Sequence, residues 1–232
     1  MYTLHIANKN YSSWSLRPWI LLQQLGIAFH EERHPFQADL RAQRRLFSAF
    51  SPTAKVPVLQ DEQITVWDSL AIAEYLAERH PQVWPQDPLA RAWARSAACE
   101  MHAGFAELRE RCGMNCVVRA KPRSMTIELK ADIDRLNTLF MDGLSRFGGP
   151  FLAGKAFTAA DAMFAPVVFR IQTYGLPMQP LAAGYVSHVL ALPAMQQWYA
   201  QALAETDIDQ SHEEDVLRYN DVIQDERSVG LR

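Results

Sequence analysis

Long apolar runs are missing from this chain. Its 232 residues are 49% hydrophobic, yet Trp19-Ile20-Leu21-Leu22 gives way to Gln23, and the stretch from Ala162 to Phe169 is interrupted by Pro166. Neither approaches the roughly 20 consecutive apolar residues that a membrane-crossing helix needs, so no membrane partner is expected. Cysteine is scarce as well. Three residues, an odd number, argue against a disulfide framework and suit a reducing, cytoplasmic compartment. The opening Met1-Tyr2-Thr3-Leu4-His5 lacks the charged and apolar regions of a secretory signal. Net charge is small, -3, so nothing draws the protein as a whole to nucleic acid or anionic lipid. The short basic stretch Arg41 to Arg45 reads as a solvated helix face, and neither an internal repeat nor a low-complexity tract is present. These absences leave a globular protein whose partner is a small molecule or another protein.

The first 80 residues read as a mixed α/β unit. Tyr2 to Ala7 is a strand-prone run ending in a polar loop, Asn8 to Ser13. Arg17 to Leu25 follows as a helix, with Pro18 in its first turn and Gly26 as its stop. Ala28 to His34 reads as a polar edge strand and Arg41 to Ala49 as a short helix. Two strands, Val56 to Leu59 and Ile64 to Trp67, flank the turn Asp61-Glu62-Gln63, and Asp68 or Ser69 caps a helix running to about Arg79. The order β-α-β-α-β-β-α predicts helices covering a four-stranded sheet. Pro81, Pro85 and Pro88 mark residues 81–88 as a linker. Beyond it, helical periodicity over Leu89 to Arg111, Met125 to Phe147, Thr158 to Tyr174 and Pro193 to Ala204 predicts an all-helical domain over 89–205. Residues 206–232 form an acidic tail, read as a surface helix or a loosely ordered segment.

Three segments carry chemistry. Asn10-Tyr11-Ser12-Ser13-Trp14-Ser15-Leu16-Arg17-Pro18 places three serines where unpaired backbone N–H groups and the positive end of a helix favour an anion. Read from that loop alone, a plain N-cap serves equally well. In Ser51-Pro52-Thr53-Ala54-Lys55-Val56-Pro57-Val58-Leu59, Pro57 cannot donate to a strand ladder and so marks an edge or an entry. A cis bond there would turn the backbone of Val56 toward a peptide-like ligand, although only about 5–6% of such bonds are cis. In Trp67-Asp68-Ser69-Leu70, Ser69 and the helix N–H groups suit a carboxylate and Asp68 an ammonium, with a cap as the plainer alternative.

In order and spacing these segments together resemble the glutathione-binding, thioredoxin-like domain of the cytosolic glutathione transferases. Lys55 to Leu59 and Asp68-Ser69-Leu70-Ala71-Ile72-Ala73-Glu74-Tyr75-Leu76 are most similar to the zeta class and related bacterial members. Phe157-Thr158-Ala159-Ala160-Asp161 matches the family's structural capping motif in the helical domain, and Pro166 also has a zeta-class counterpart. The likeness spans residues 2 to 204 and is strongest in the first 80. It implies glutathione as substrate or cofactor and a homodimer. Carried over residue by residue, it implies Ser12 as the hydroxyl holding the thiolate, with Ser13 as fallback and Ser15 third. Val56 would pair with the cysteinyl unit beside a cis Pro57, Asp68 and Ser69 would hold the γ-glutamyl end, and Lys55 would face a ligand carboxylate. Trp14 stands where zeta-class isomerases carry a cysteine, which predicts a reshaped pocket and speaks against maleylacetoacetate isomerase activity.

The electrophile pocket is expected around Trp14, Met101, His102, Phe105, Arg109, Met114, Phe164 and Arg170, with Glu100 nearby. No cysteine occupies positions 12 to 15, which disfavours dithiol exchange. Cys112 and Cys116 lack the spacing and the second ligand pair of a zinc site, Cys99 reads as core, and no metal is expected. The leading function is therefore a glutathione transferase attacking a small hydrophobic electrophile, by conjugation, isomerisation, dehalogenation or ether cleavage. The alternatives are a non-catalytic binding or regulatory protein of the same fold and a glutathione-dependent isomerase.

Overall fold

The computed structural model describes residues 1–227. Strand β1 (Tyr2–Ile6) lies at the centre of a sheet ordered β2-β1-β3-β4, with β2 spanning Phe29–Arg33, β3 Val58–Asp61 and β4 Ile64–Trp67. It runs parallel to β2, with Leu4 opposite Glu31 and His5 opposite Glu32, and antiparallel to β3. Successive side chains on a strand point to opposite faces. Leu4 and Ile6 are fully buried in the main core with Leu16 and Ile20 of α1 (Ser13–Gln24). His5, on the other face, stacks on Phe50 just beyond α2 (Leu40–Ser48). Helix α3 (Ser69–Ala77) packs beside α1, so the thioredoxin-like layers are complete.

A helical half follows: α4 (Pro88–Ala103), α5 (Ala106–Arg111), α6 (Ile127–Phe147), α7 (Ala159–Tyr174), α8 (Pro180–Leu190), α9 (Pro193–Leu203) and α10 (Gln210–Tyr219). Helix α7 is buried along almost its whole length and packs against α1, which joins the two halves. Its start is fixed by Asp161, whose carboxylate accepts from the backbone N–H of Leu152 and Thr158, the Thr158 hydroxyl and the Tyr185 hydroxyl. Trp198 of α9 meets Trp19 of α1 edge to face at 5.0 Å, with the ammonium of Lys9 over both rings.

Several elements differ from the sequence reading. Helix α1 begins at Ser13, which puts Pro18 inside the helix rather than in its first turn. The helix predicted over Leu89 to Arg111 is two helices, broken at Gly104 and Phe105. A Cβ at Gly104 would stand 2.8 Å from the carbonyl oxygen of Glu100, and Phe105 takes a left-handed conformation with φ 60°. Arg109 then donates to the carbonyls of Met101, His102 and Gly104, supplying partners that the helix end lacks. Helix α8 was not predicted. The second half is helical but also carries a two-stranded antiparallel ribbon, β5 (Val118–Pro122) with β6 (Asn220–Asp225). Much of the expected tail is therefore structured as α10 and β6, and Cys99 is exposed rather than core.

Candidate functional site

The loop between β1 and α1 is held from the helical half. Glu205 accepts from the backbone N–H of Lys9 at 2.7 Å and of Asn10 at 3.2 Å, while the side chain of Asn10 accepts from the N–H groups of Cys116 and Val117. This anchoring fixes Ser12 at the N-cap of α1, yet its hydroxyl makes no capping bond. Instead Ser12 Oγ lies 2.7 Å from Ser15 Oγ, and Ser15 Oγ accepts from the N–H of Ala7 at 3.2 Å. Either hydroxyl can donate in this pair, and the arrangement in which Ser15 donates to Ser12 leaves the Ser12 proton for a ligand. Ser15 is fully buried behind it, whereas Ser12 and Ser13 both line a cavity.

Two cavities meet at Trp14, Lys55 and Val56. The first, about 440 Å³, is lined by Thr53, Lys55, Val56, Pro57, Trp67, Asp68, Ser69 and His102. The Val56–Pro57 peptide is cis. Asp68 caps α3 with φ 73°, a rare conformation for a residue with a side chain. One of its oxygens accepts from the N–H of Leu70 at 2.8 Å and of Ala71 at 3.4 Å, and the other lies 3.3 Å from Nε2 of His102. The end of the first cavity is thus closed by a side chain from α4.

The second cavity, about 470 Å³, is bounded by Tyr11, Ser12, Ser13, Trp14, Arg109, Met114 and Arg170 on one side. Phe36 and Phe47, with His212 and Asp215 of α10, complete it. His212 stacks between Tyr11 and Phe36, at 5.1 and 5.0 Å, and Glu213 accepts from the Tyr11 hydroxyl at 2.6 Å. The C-terminal segment is therefore a wall of this cavity, a role the sequence did not disclose.

Positive charge gathers where the cavities join. The guanidinium of Arg17 lies 4.0 Å from the Trp14 ring and that of Arg109 4.8 Å from it. Burial pushes Arg17 well below the ordinary arginine value, and repulsion from Arg109 and Arg170 acts in the same direction against Asp68. Burial and then Arg170 lower Arg109 to about 10, and burial lowers Arg170 too. Arg17 reaches the Ser69 hydroxyl at 3.4 Å, its Nε has no partner, and Arg170 donates to backbone carbonyls of Arg109 and Cys112. Among the described residues the hydrogen bonds of the three go to a hydroxyl and to backbone carbonyls, not to a carboxylate. Asp68 and Asp132 offset part of the repulsion on Arg17 and Arg109 from beyond ion-pair distance, but buried charges of one sign without direct partners are costly. Such an excess of positive charge suits an anion.

The expected pocket residues are distributed unevenly. Trp14, Arg109, Met114 and Arg170 line the second cavity, and His102 lines the first. Met101, Phe105 and Phe164 lie in the core, Phe164 edge to face with Phe140 at 5.3 Å. Glu100 is paired with Arg135 through both oxygens, at 2.5 and 2.7 Å. Burial pushes the Cys112 thiol up to about 12 and raises that of Cys116 as well, so neither is a nucleophile.

A thioredoxin-like domain joined to a helical domain, with a cleft between them at the first helix, defines the class. Comparisons with known proteins agree. Residues 11–79 match the glutathione S-transferase N-terminal domain and residues 91–201 the C-terminal domain. The chain belongs to the glutathione S-transferase family and is zeta-like within it. It is 30% identical over 156 residues to maleylacetoacetate isomerase of Rattus norvegicus, covering 65% of this chain and 70% of that protein. A stringent starvation protein A homolog of Coxiella burnetii is 24% identical, over 68% of this chain and 72% of that protein. Among solved structures, a Burkholderia glutathione transferase homolog with bound glutathione superposes with a TM-score of 0.64 at 25% identity, covering 88% of this chain and 99% of that one.

Proposed function

We propose that this protein is a glutathione S-transferase in which the Ser12 hydroxyl holds the glutathione sulfur as its thiolate for attack on a small electrophile. The observation that carries the reading is the Ser12 hydroxyl itself: it is not used as a helix cap, is backed by Ser15, and lines the cavity beside guanidinium groups that lack a direct ion pair. A free thiol titrates near about 8.5, and lowering that by two units requires about 2.7 kcal/mol of preference for the anion. One hydrogen bond to a charged acceptor contributes about 1.5–3 kcal/mol, and the amino end of α1 adds to it. Ser12 donates and keeps its proton, so no general base is needed. Lys55, Val56, Pro57, Asp68 and Ser69, all in the first cavity, suit the tripeptide: backbone pairing at Val56, the γ-glutamyl end at Asp68 and Ser69, a carboxylate near Lys55. Ser13 stands next to Ser12 on the same wall. The second cavity would take the electrophile, its aromatic and methionine lining suiting an apolar body and Arg109 with Arg170 favouring one that also carries negative charge.

A glutathione-dependent isomerase is the second reading, supported by the likeness to the rat maleylacetoacetate isomerase. Stoichiometry separates the two. A transferase consumes one glutathione per turnover, whereas an isomerase returns it unchanged. A non-catalytic binding protein would retain glutathione on an affinity matrix yet leave the thiol's titration where it is in water. Glutathione-affinity binding followed by glutathione consumption with diverse electrophiles tests the proposal; retention without turnover or thiol activation would overturn it. The family likeness further supports a cytoplasmic homodimer, whose oligomeric state sedimentation of the purified protein would check.

A further inference from the structure

The face of the sheet opposite the main core carries a group of side chains that the glutathione chemistry does not use. His5 and Glu32 are direct neighbours across the parallel β1–β2 pair, and His34 follows Glu32 by two residues. A spacing of two returns a side chain to the same face of a strand, so all three project toward α2. Nδ1 of His5 lies 3.0 Å from Nε2 of His34 and 3.3 Å from Oε2 of Glu32, and the last two atoms are 3.8 Å apart. Among the described residues this is the one set of three such groups whose ligand atoms converge.

We propose that His5, Glu32 and His34 form a binding site for a divalent transition ion of the zinc type, with the remaining coordination position open to water. Zinc bonds of about 2.0–2.2 Å to nitrogen and oxygen in a tetrahedron place neighbouring ligand atoms roughly 3.3–3.5 Å apart. The three observed separations bracket that edge. The chemistry of the set also fits: two imidazole nitrogens and one carboxylate favour zinc and its neighbours over calcium or magnesium, which prefer all-oxygen shells. The rings are held before any ion arrives. Both stack on Phe50, His5 at 4.5 Å and His34 at 4.2 Å, and the backbone N–H of His34 bonds to the carbonyl of Ile6 at 2.8 Å, extending the ladder. An entry path exists as well, since the Glu32 side chain is 45% exposed while that of His5 is 5% exposed. The outer support is thin, because Nε2 of His5 is buried without a partner. Such outer hydrogen bonds typically contribute about 10–100-fold in affinity, so binding is expected in the micromolar rather than the nanomolar range.

Calorimetric titration of the full chain with zinc, after chelator treatment and without glutathione, tests the site independently of the transferase reading. The exposed Cys99 is replaced in all samples (Cys99→Ser) so that its thiol cannot ligate. One equivalent of zinc per chain is expected, with affinity falling roughly tenfold or more in His34→Ala. Glu32→Gln, at a half-exposed position, gives the same loss in a variant whose folding is not at stake, and circular dichroism checks both. Cobalt in place of zinc should give the intense visible bands of a tetrahedral ion, weakened in Glu32→Gln. No binding by the parent, or an unchanged titration in either variant that folds, would overturn the assignment.

Discussion

Replacing Ser12 with alanine is the most direct perturbation of the sulfur site. In the folded chain the Ser12 oxygen has one close side-chain neighbour, Ser15 Oγ at 2.7 Å, which is itself anchored by the N–H of Ala7. On the proposed reading, Ser12→Ala removes one hydrogen bond to the bound thiolate and leaves the helix end and the three guanidinium groups in place. That bond is worth about 1.5–3 kcal/mol. At 1.36 kcal/mol per unit, the apparent pKa of bound glutathione should rise by about 1–2 units. From a starting value of about 6.5, the thiolate fraction at pH 7, and kcat with it, should then fall by about 3–25-fold while glutathione affinity changes little. Ultraviolet thiolate absorbance, followed across pH at saturating glutathione and referenced to an S-methylated analogue, reads the shift. Ser15→Ala should give a smaller rise in the same direction. It should also cost about 1–3 kcal/mol of stability, because the buried Ala7 N–H loses its acceptor. Ser13→Ala should leave the titration near that of the parent. An identical thiol pKa in Ser12→Ala and the parent would refute the assignment of the hydroxyl.

Other perturbations test the electrophile side and the scaffold. Arg109→Met removes a guanidinium stacked on Trp14. It should raise KM for an anionic electrophile by about tenfold, the scale of one charged hydrogen bond, with a smaller change for a neutral one; equal changes would argue against charge recognition. Asp161→Ala leaves the donors on Leu152, Thr158 and Tyr185 unpaired in the core. The expected cost is about 3–5 kcal/mol, measured by urea unfolding. Burial holds the Asp161 carboxyl up at about 6, against an ordinary 3.8. Between those values the folded chain binds the extra proton, so this group's contribution to stability is greatest below the window and declines as pH rises through it. That part of the pH slope should vanish in Asp161→Ala. Gly143→Ala would drive a methyl group to 2.5 Å from the carbonyl of Leu152 and 2.4 Å from the Trp93 ring. A loss of about 1–3 kcal/mol is expected from such overpacking, and an unchanged melting temperature would contradict it.

The amino-terminal half was legible because its signals are local. Turn residues bound each short strand, Asp68 is a helix cap by composition, and Pro57 announces a strand entry. Where partners are far apart in the chain, the signal failed. Val118 to Pro122 looks like a helix connection until Asn220 to Asp225, about a hundred residues on, arrives beside it. The break at Gly104 was hidden because apolar periodicity runs across it, and only the closeness of the Glu100 carbonyl shows why glycine is needed there. His102 was assigned to the electrophile side, whereas the structure faces it toward Asp68. Periodicity gives the face of a helix but not what the neighbouring domain presents to it. The same limit explains Met101, Phe105 and Phe164, apolar residues near the cleft in sequence that fill the core beneath it.

The indole of Trp14 has a consequence for how the protein would respond to two ligands. It borders both cavities and is contacted by cations belonging to different helices. Any occupant that shifts this ring changes the shape of the neighbouring chamber, so the two binding equilibria are linked through one shared partition. Thermodynamics then requires the influence to be mutual: whatever factor the first ligand imposes on the second, the second imposes on the first.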